Sequence, residues 1–180
     1  MFAGSAKNTA ADDQPAEWQY AVEGKNGLFE GTEYAVPAVT VDVWTANGVV
    51  VPRRGFFQVS QARFVGGGAD IGLSAVSQPG DKEQSTTVDV TLSPMPLETM
   101  KAIWPKALAP GARSWIGERV TAATFKGGTL NFRTGEFREG ESPELGHSGE
   151  RLTATFEVDD AQFIPLPGMA PIVAPKGLIS

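Results

Sequence analysis

Apolar and polar residues alternate with a period of two in several separate stretches of this chain. Trp18, Tyr20 and Val22 begin the pattern, which breaks at Gly24–Gly27. Val39, Val41 and Val43 alternate with Thr40 and Asp42, and Ile71, Leu73 and Ala75 with Asp70, Gly72 and Ser74. Val88, Val90 and Leu92 flank Asp89 and Thr91, Leu130 and Phe132 straddle Asn131, and Leu152, Ala154, Phe156 and Val158 interleave with Thr153, Thr155 and Glu157. A period of two sends each apolar set to one face of a strand and each polar set to the other. Turn residues separate the runs: Gly66-Gly67-Gly68, Pro79-Gly80-Asp81, Gly127-Gly128 and the stretch Gly146 to Gly149. Together they predict an antiparallel sheet with one dry and one wet face.

The period changes once, between about residues 96 and 120. Leu97, Met100, Ile103 and Trp104 recur at helical spacing, followed by Ala112, Trp115, Ile116 and Arg119. Pro96 and Pro110 suit a first helical turn, where the missing N–H has no intrahelical partner to lose. Trp104 precedes Pro105, and a residue before proline is driven out of the α region, so the first helix should end there. The expectation is two short helices with a bend at Pro105–Pro110, inserted between a strand ending at Leu92 and one starting near Thr124. Two tryptophans on such an insert read as a hydrophobic plug on the sheet.

Residues 1–15 are small and polar and are expected to be a disordered lead-in. Residues 16–180 are expected to be a single β domain. Residues 136–151 read as an acidic hairpin loop, and the proline-punctuated tail from Phe163 to Ile172 suits a sheet edge better than its centre. The apolar run at Gly177-Leu178-Ile179-Ser180 suggests a piece of a longer protein. With 21 glycines and 13 prolines, the composition fits a chain rich in turns rather than a helical bundle.

Charge and missing residue types exclude several kinds of chemistry. The net charge is −6, from 15 basic and 21 acidic residues, and the one tight basic pair, Arg53–Arg54, reads as a solvated turn. A nucleic-acid partner is therefore not expected. Cysteine is absent, which removes disulfides, thiolate catalysis and cysteine-ligated zinc. The single histidine, His147, lies in a Gly/Ser-rich loop without a second histidine to share a metal. There is no G-x-S-x-G, and the Gly66–Gly68 run precedes Ala-Asp rather than Lys-Ser/Thr, so it is no phosphate-binding loop. Asp159–Asp160 and the glutamates around 139–144 match no calcium loop. No cofactor, no metal and no enzymatic activity are expected.

The same alternation could build a closed sandwich or a curved sheet whose apolar face lines a groove. A six-residue strand spans ~20 Å, comparable with the ~15 Å depth of one leaflet's hydrocarbon. Periodicity alone favours the sandwich, the commoner architecture. The segment from Ala62 to Gly135, however, resembles AsmA-like proteins of the YhdP type, in the uncharacterised region preceding their AsmA-like C-terminal domain. The resemblance is carried by Ala62-Arg63-Phe64, by Pro96-Leu97 to Trp104-Pro105, by Leu108-Ala109-Pro110-Gly111-Ala112-Arg113-Ser114-Trp115-Ile116, and by the glycine-bearing stretch Phe125–Phe132. The segment Phe163-Ile164-Pro165 with Leu166-Pro167-Gly168-Met169-Ala170-Pro171-Ile172 is similar to that family's recurring strand-then-proline unit.

The resemblance implies a periplasmic segment of a Gram-negative envelope protein whose full-length parent is anchored in the inner membrane. It also implies a mainly β fold, a curved, largely antiparallel sheet forming a groove or half-barrel. Such a segment would shield the acyl chains of phospholipid during transport between membranes, with envelope membrane proteins as further partners. The face expected to meet lipid comprises Ile71, Leu73, Val88, Val90, Leu92, Leu130 and Phe132. Alternation alone extends it to Val39, Val41, Val43, Leu152, Phe156 and Val158. Trp104, Arg113, Trp115 and Ile116 are expected on a helix packed against the groove. The alternative from the residues alone is a closed β-sandwich that binds carbohydrate or a protein through Trp18, Tyr20 and Trp44. A hydrolase with an unseen carboxylate pair ranks last.

Overall fold

A computed structural model describes residues 2–8, 16–31, 36–80, 84–104, 110–135 and 150–179. The described residues form one antiparallel sheet of ten strands, not closed into a barrel, with a two-helix insert. The strands are β1 (Phe2–Asn8), β2 (Trp18–Gly31), β3 (Val36–Val51), β4 (Phe56–Gly66), β5 (Ala69–Pro79) and β6 (Gln84–Leu92). They continue with β7 (Met95–Pro96), β8 (Val120–Thr134), β9 (Glu150–Phe163) and β10 (Ile172–Ile179). Each long strand pairs with the next along the chain, and two-residue β7 pairs beside β8. Such a meander places every hairpin at one of two ends. One end, which we call the helical end, carries α1 (Leu97–Ile103) and α2 (Pro110–Arg119).

Local chemistry accounts for the boundaries. Gly67 and Gly68 have φ of 59° and 81°, the left-handed pair a tight two-residue turn requires, and they join Gly66 directly to its partner Ala69. Trp104 caps α1 in an extended conformation before Pro105, and its N–H still bonds the Met100 carbonyl at 3.1 Å. Arg53 and Arg54 are exposed on the short 3-10 turn Pro52–Arg54.

Several expectations need correction. The lead-in contains strand β1, which pairs with β2 from Phe2↔Gly24 to Asn8↔Trp18. It has no alternation to display because small residues pair well enough through the backbone alone. The break foreseen at Gly24–Gly27 is not a break, since β2 runs on to Gly31. Gly127-Gly128 is no turn but the middle of β8. The register shifts there, and Gly127 takes a φ of 136° at the irregularity. The strand expected near Thr124 begins at Val120. Of the loop expected over residues 136–151, residues 136–149 with His147 lie outside the described residues, and Glu150 and Arg151 begin β9.

The sealed core gathers at the helical end. Met95, Leu97, Met100, Trp104, Ile116, Val120, Phe125, Phe156, Val158 and Ala161 form one buried cluster. Helix α1 contributes Leu97 and Met100, three apart on one face, and its extended cap residue Trp104 joins them against the sheet. Phe156 centres the packing, meeting Phe125 edge-on at 5.7 Å and Trp104 at 6.0 Å between ring centroids. Lys101 Nζ donates to the Val120 carbonyl at 3.1 Å, tying α1 to the start of β8.

Candidate functional site

Reading the register across the sheet shows which residues share a face. Phe64, Ile71, Leu92, Gly128 and Phe156 follow one another from β4 to β9 as direct partners. The next row is Ala62, Leu73, Val90, Leu130 and Ala154, and the one beyond it Ala75, Val88, Phe132 and Leu152. These rows make one apolar face. The opposite face carries polar pairs: Asn131 Nδ2 donates to Asp89 at 2.7 Å, and the Arg63 guanidinium holds Asp70 through two bonds of 2.9 and 2.6 Å.

Along the apolar face the environment changes from sealed to open. Phe156 is 3% exposed beneath the helices. Ile71, Leu73, Val88, Val90, Leu92, Leu130, Phe132 and Leu152 are only half-buried. Among the described residues no second sheet covers them. They line a cavity of about 330 Å³ with Phe156 and with Met100, Ile103 and Trp104 of the insert. Two residues further along the strands the face turns polar: Ser77 and Thr86 are direct partners with their hydroxyl oxygens 2.8 Å apart, and Gln84 Nε2 donates to Ser77 at 3.0 Å. The groove thus has an apolar end under α1, an open apolar floor and, on β5 and β6, a hydroxyl-bearing rim.

Nine of the thirteen residues expected on the lipid face line this cavity, and Val39 and Val41 line a smaller one of about 190 Å³. Phe64, Gly66, Ala69, Ile71 and Ile103 complete the smaller cavity. Val43 does not join them. It pairs with Val65, one step from the Trp44–Phe64 pair, and so lies on the opposite face, 41% exposed. Val158 belongs to the sealed cluster and touches neither cavity.

Of the helical residues, Trp104 lines the groove and Ile116 is buried beside it. Arg113 Nε donates to the Trp104 carbonyl at 3.4 Å and so braces the insert from within. Trp115 is 45% exposed and leans on Phe163 at 6.2 Å, away from the groove. Met100 and Ile103 escaped the expected site set, although their spacing with Leu97 and Trp104 had already marked them as one helix face.

Curvature has a visible chemical basis. On the apolar face Trp44 lies over its partner Gly24, Tyr20 over its partner Gly48, and Phe156 over its partner Gly128. An aromatic ring laid across a glycine covers backbone without a Cβ on its path, a device suited to coiled sheets. Tyr20 reaches beyond Gly48, donating its hydroxyl to the Gln58 carbonyl at 3.2 Å and stacking on Phe57 at 6.1 Å. Burial raises the pKa of that hydroxyl. Trp18 is 42% exposed, and Tyr20 and Trp44 are half-buried.

No cluster of three or more His, Cys, Asp or Glu side chains gathers among the described residues. Comparison with family models, curated proteins and solved structures finds no match. Fold and site together define a groove-bearing, single-layer antiparallel β protein.

Proposed function

We propose that this chain is a segment of a lipid conduit, of the AsmA-like kind its sequence resembles, that holds the acyl chains of phospholipid on a concave apolar β surface. The observation that carries the reading is the half-buried apolar face from β4 to β9. It spans several rows of side chains, has no second sheet against it among the described residues, and gives way on β5 and β6 to the Ser77 and Thr86 hydroxyls. Acyl chains fit because such a site offers them dispersion contact and exclusion of water and almost nothing polar to bind. No chemistry on the lipid is required, so the role is carriage rather than catalysis. The setting proposed is the periplasm, with the parent protein anchored in the inner membrane and envelope membrane proteins as neighbours.

Native mass spectrometry of the protein purified gently from bacteria tests this reading, alongside titration with a fluorescent fatty acid. Co-purifying phospholipid or saturable uptake of the probe is expected. A protein that carries no lipid and takes up no probe overturns the proposal.

A further inference from the structure

Ile103, at the C-terminal end of α1, lines the larger cavity and the smaller one alike, and so does Ile71 on the sheet. The boundary between the two spaces therefore runs through this pair, one residue above the groove and one on its floor. Beyond it the smaller cavity continues toward Val39 and Val41 on β3. One row beyond the other end of the larger cavity, past Val88, stand the Ser77 and Thr86 hydroxyls.

We infer that Ile71 and Ile103 form a length stop for hydrocarbon: one chain lies tail-first in the larger cavity, its tip against this pair and its polar end directed toward the Ser77–Thr86 rim. The inference rests on the lipid-holding reading and deepens it by naming what limits the chain. If a methylene fills about the ~30 Å³ of a liquid water molecule, a 330 Å³ space holds about eleven. The 190 Å³ beyond the pair holds about six more by the same ~30 Å³ measure. Each methylene that enters apolar surroundings contributes ~0.8 kcal/mol, about fourfold in affinity. Carbons beyond the filled length stay in water and add nothing.

The test is a binding series of saturated fatty acids, from about eight to about eighteen carbons, against the full chain and its variants, read by displacement of a fluorescent fatty acid. The intact protein should show affinity rising about fourfold per methylene and then flattening near eleven. Ile103→Ala removes the upper half of the stop and should carry the rise about six methylenes further. Should that variant lose its cooperative melt, Ile71→Ala opens the same boundary from the floor and carries the same expectation. An unbroken rise to the longest chain in the intact protein overturns the inference, as does an unchanged break point in the folded variants. Either result leaves the lipid-holding reading standing. An intact protein that binds none of the series removes that reading, and the length stop falls with it.

Discussion

Replacing Val90 by aspartate distinguishes an open groove from a sealed core. Val90 sits mid-floor, paired with Leu73 on one side and Leu130 on the other, and is half-buried. Full burial of a valine side chain stabilises by ~1.5–3 kcal/mol, so a half-buried one forfeits about 1 kcal/mol on removal. Aspartate's poor strand propensity adds less than ~1 kcal/mol. Because the floor is open to water, the carboxylate stays hydrated and incurs no burial penalty. The total of about 1–2 kcal/mol should lower Tm by ~2–8 °C for a domain of this size. Phe125→Ala supplies the contrast. Phe125 is 3% exposed inside the sealed cluster, and emptying such a site costs ~3–5 kcal/mol. The assay is a thermal melt of intact protein, Val90→Asp and Phe125→Ala, each with and without dodecanoic acid. Ligand at about a hundred times Kd stabilises the intact protein by ~2.7 kcal/mol, and the charged floor should abolish that gain. A Val90→Asp variant that falls as far as Phe125→Ala would show that Val90 is core. Equal stabilisation of both proteins by dodecanoic acid would place its site elsewhere.

Three further outcomes follow from the same geometry. Gly48→Ala should destabilise by ~1–3 kcal/mol, because its Cβ would strike the Gln58 backbone carbonyl. Gly24→Ala, whose Cβ meets only the Trp44 ring, should cost less in parallel urea melts, and a reversed order refutes the account. Tyr20→Phe removes the bond to Gln58 and should cost about 1 kcal/mol, measured at neutral pH where the hydroxyl is protonated. The Arg63 guanidinium, chiefly through its hydrogen bond, holds the Asp70 carboxyl below the usual carboxylate range. That pair stabilises the fold above Asp70's unfolded value of ~3.9 and loses its contribution as pH falls through the lowered one. Melts of intact protein and Asp70→Asn should therefore differ slightly at pH 6 and converge in acid, and a gap that widens in acid contradicts this.

The central face was legible in the sequence and its margins were not. On β5, β6, β8 and the first part of β9 the alternation is clean, and Ile71, Leu73, Val88, Val90, Leu130 and Leu152 fall together wherever those strands pair. On β3 the run Val39-Val41-Val43 looks equally clean. Its facing is settled by register, however, and Trp44 opposite Phe64 takes the inward place, leaving Val43 outside. On β9 both Val158 and Ala161 are buried although three residues apart, because Asp160 at φ 51° turns the strand over between them. A bulge of that kind leaves no trace in a period-two pattern. The pairs of aromatic and glycine were likewise invisible. Gly24 and Trp44 stand twenty positions apart, and only the pairing of β2 with β3 makes them neighbours.

The distribution of burial gives the sheet a direction, and the direction explains how it stays folded with an uncovered apolar face. Sealed packing is concentrated where α1 and α2 meet β8 and β9, while the floor between Leu73 and Leu152 contributes through cross-strand contacts of half-buried side chains. Sealed packing and the open apolar floor are thus separated along the strand axis. Residues near Phe156 hold the fold, and on the proposed function residues two to four positions away from it would hold hydrocarbon, with the Ser77–Thr86 rim beyond them. A sealed sandwich would spend the whole face on stability and leave no accessible surface. An uncapped sheet would expose the face end to end and bind chains without preference of direction. On the proposed function an amphiphile would gain most with its tail toward α1, where the sealed packing lies, so the insert would give a passive surface an orientation.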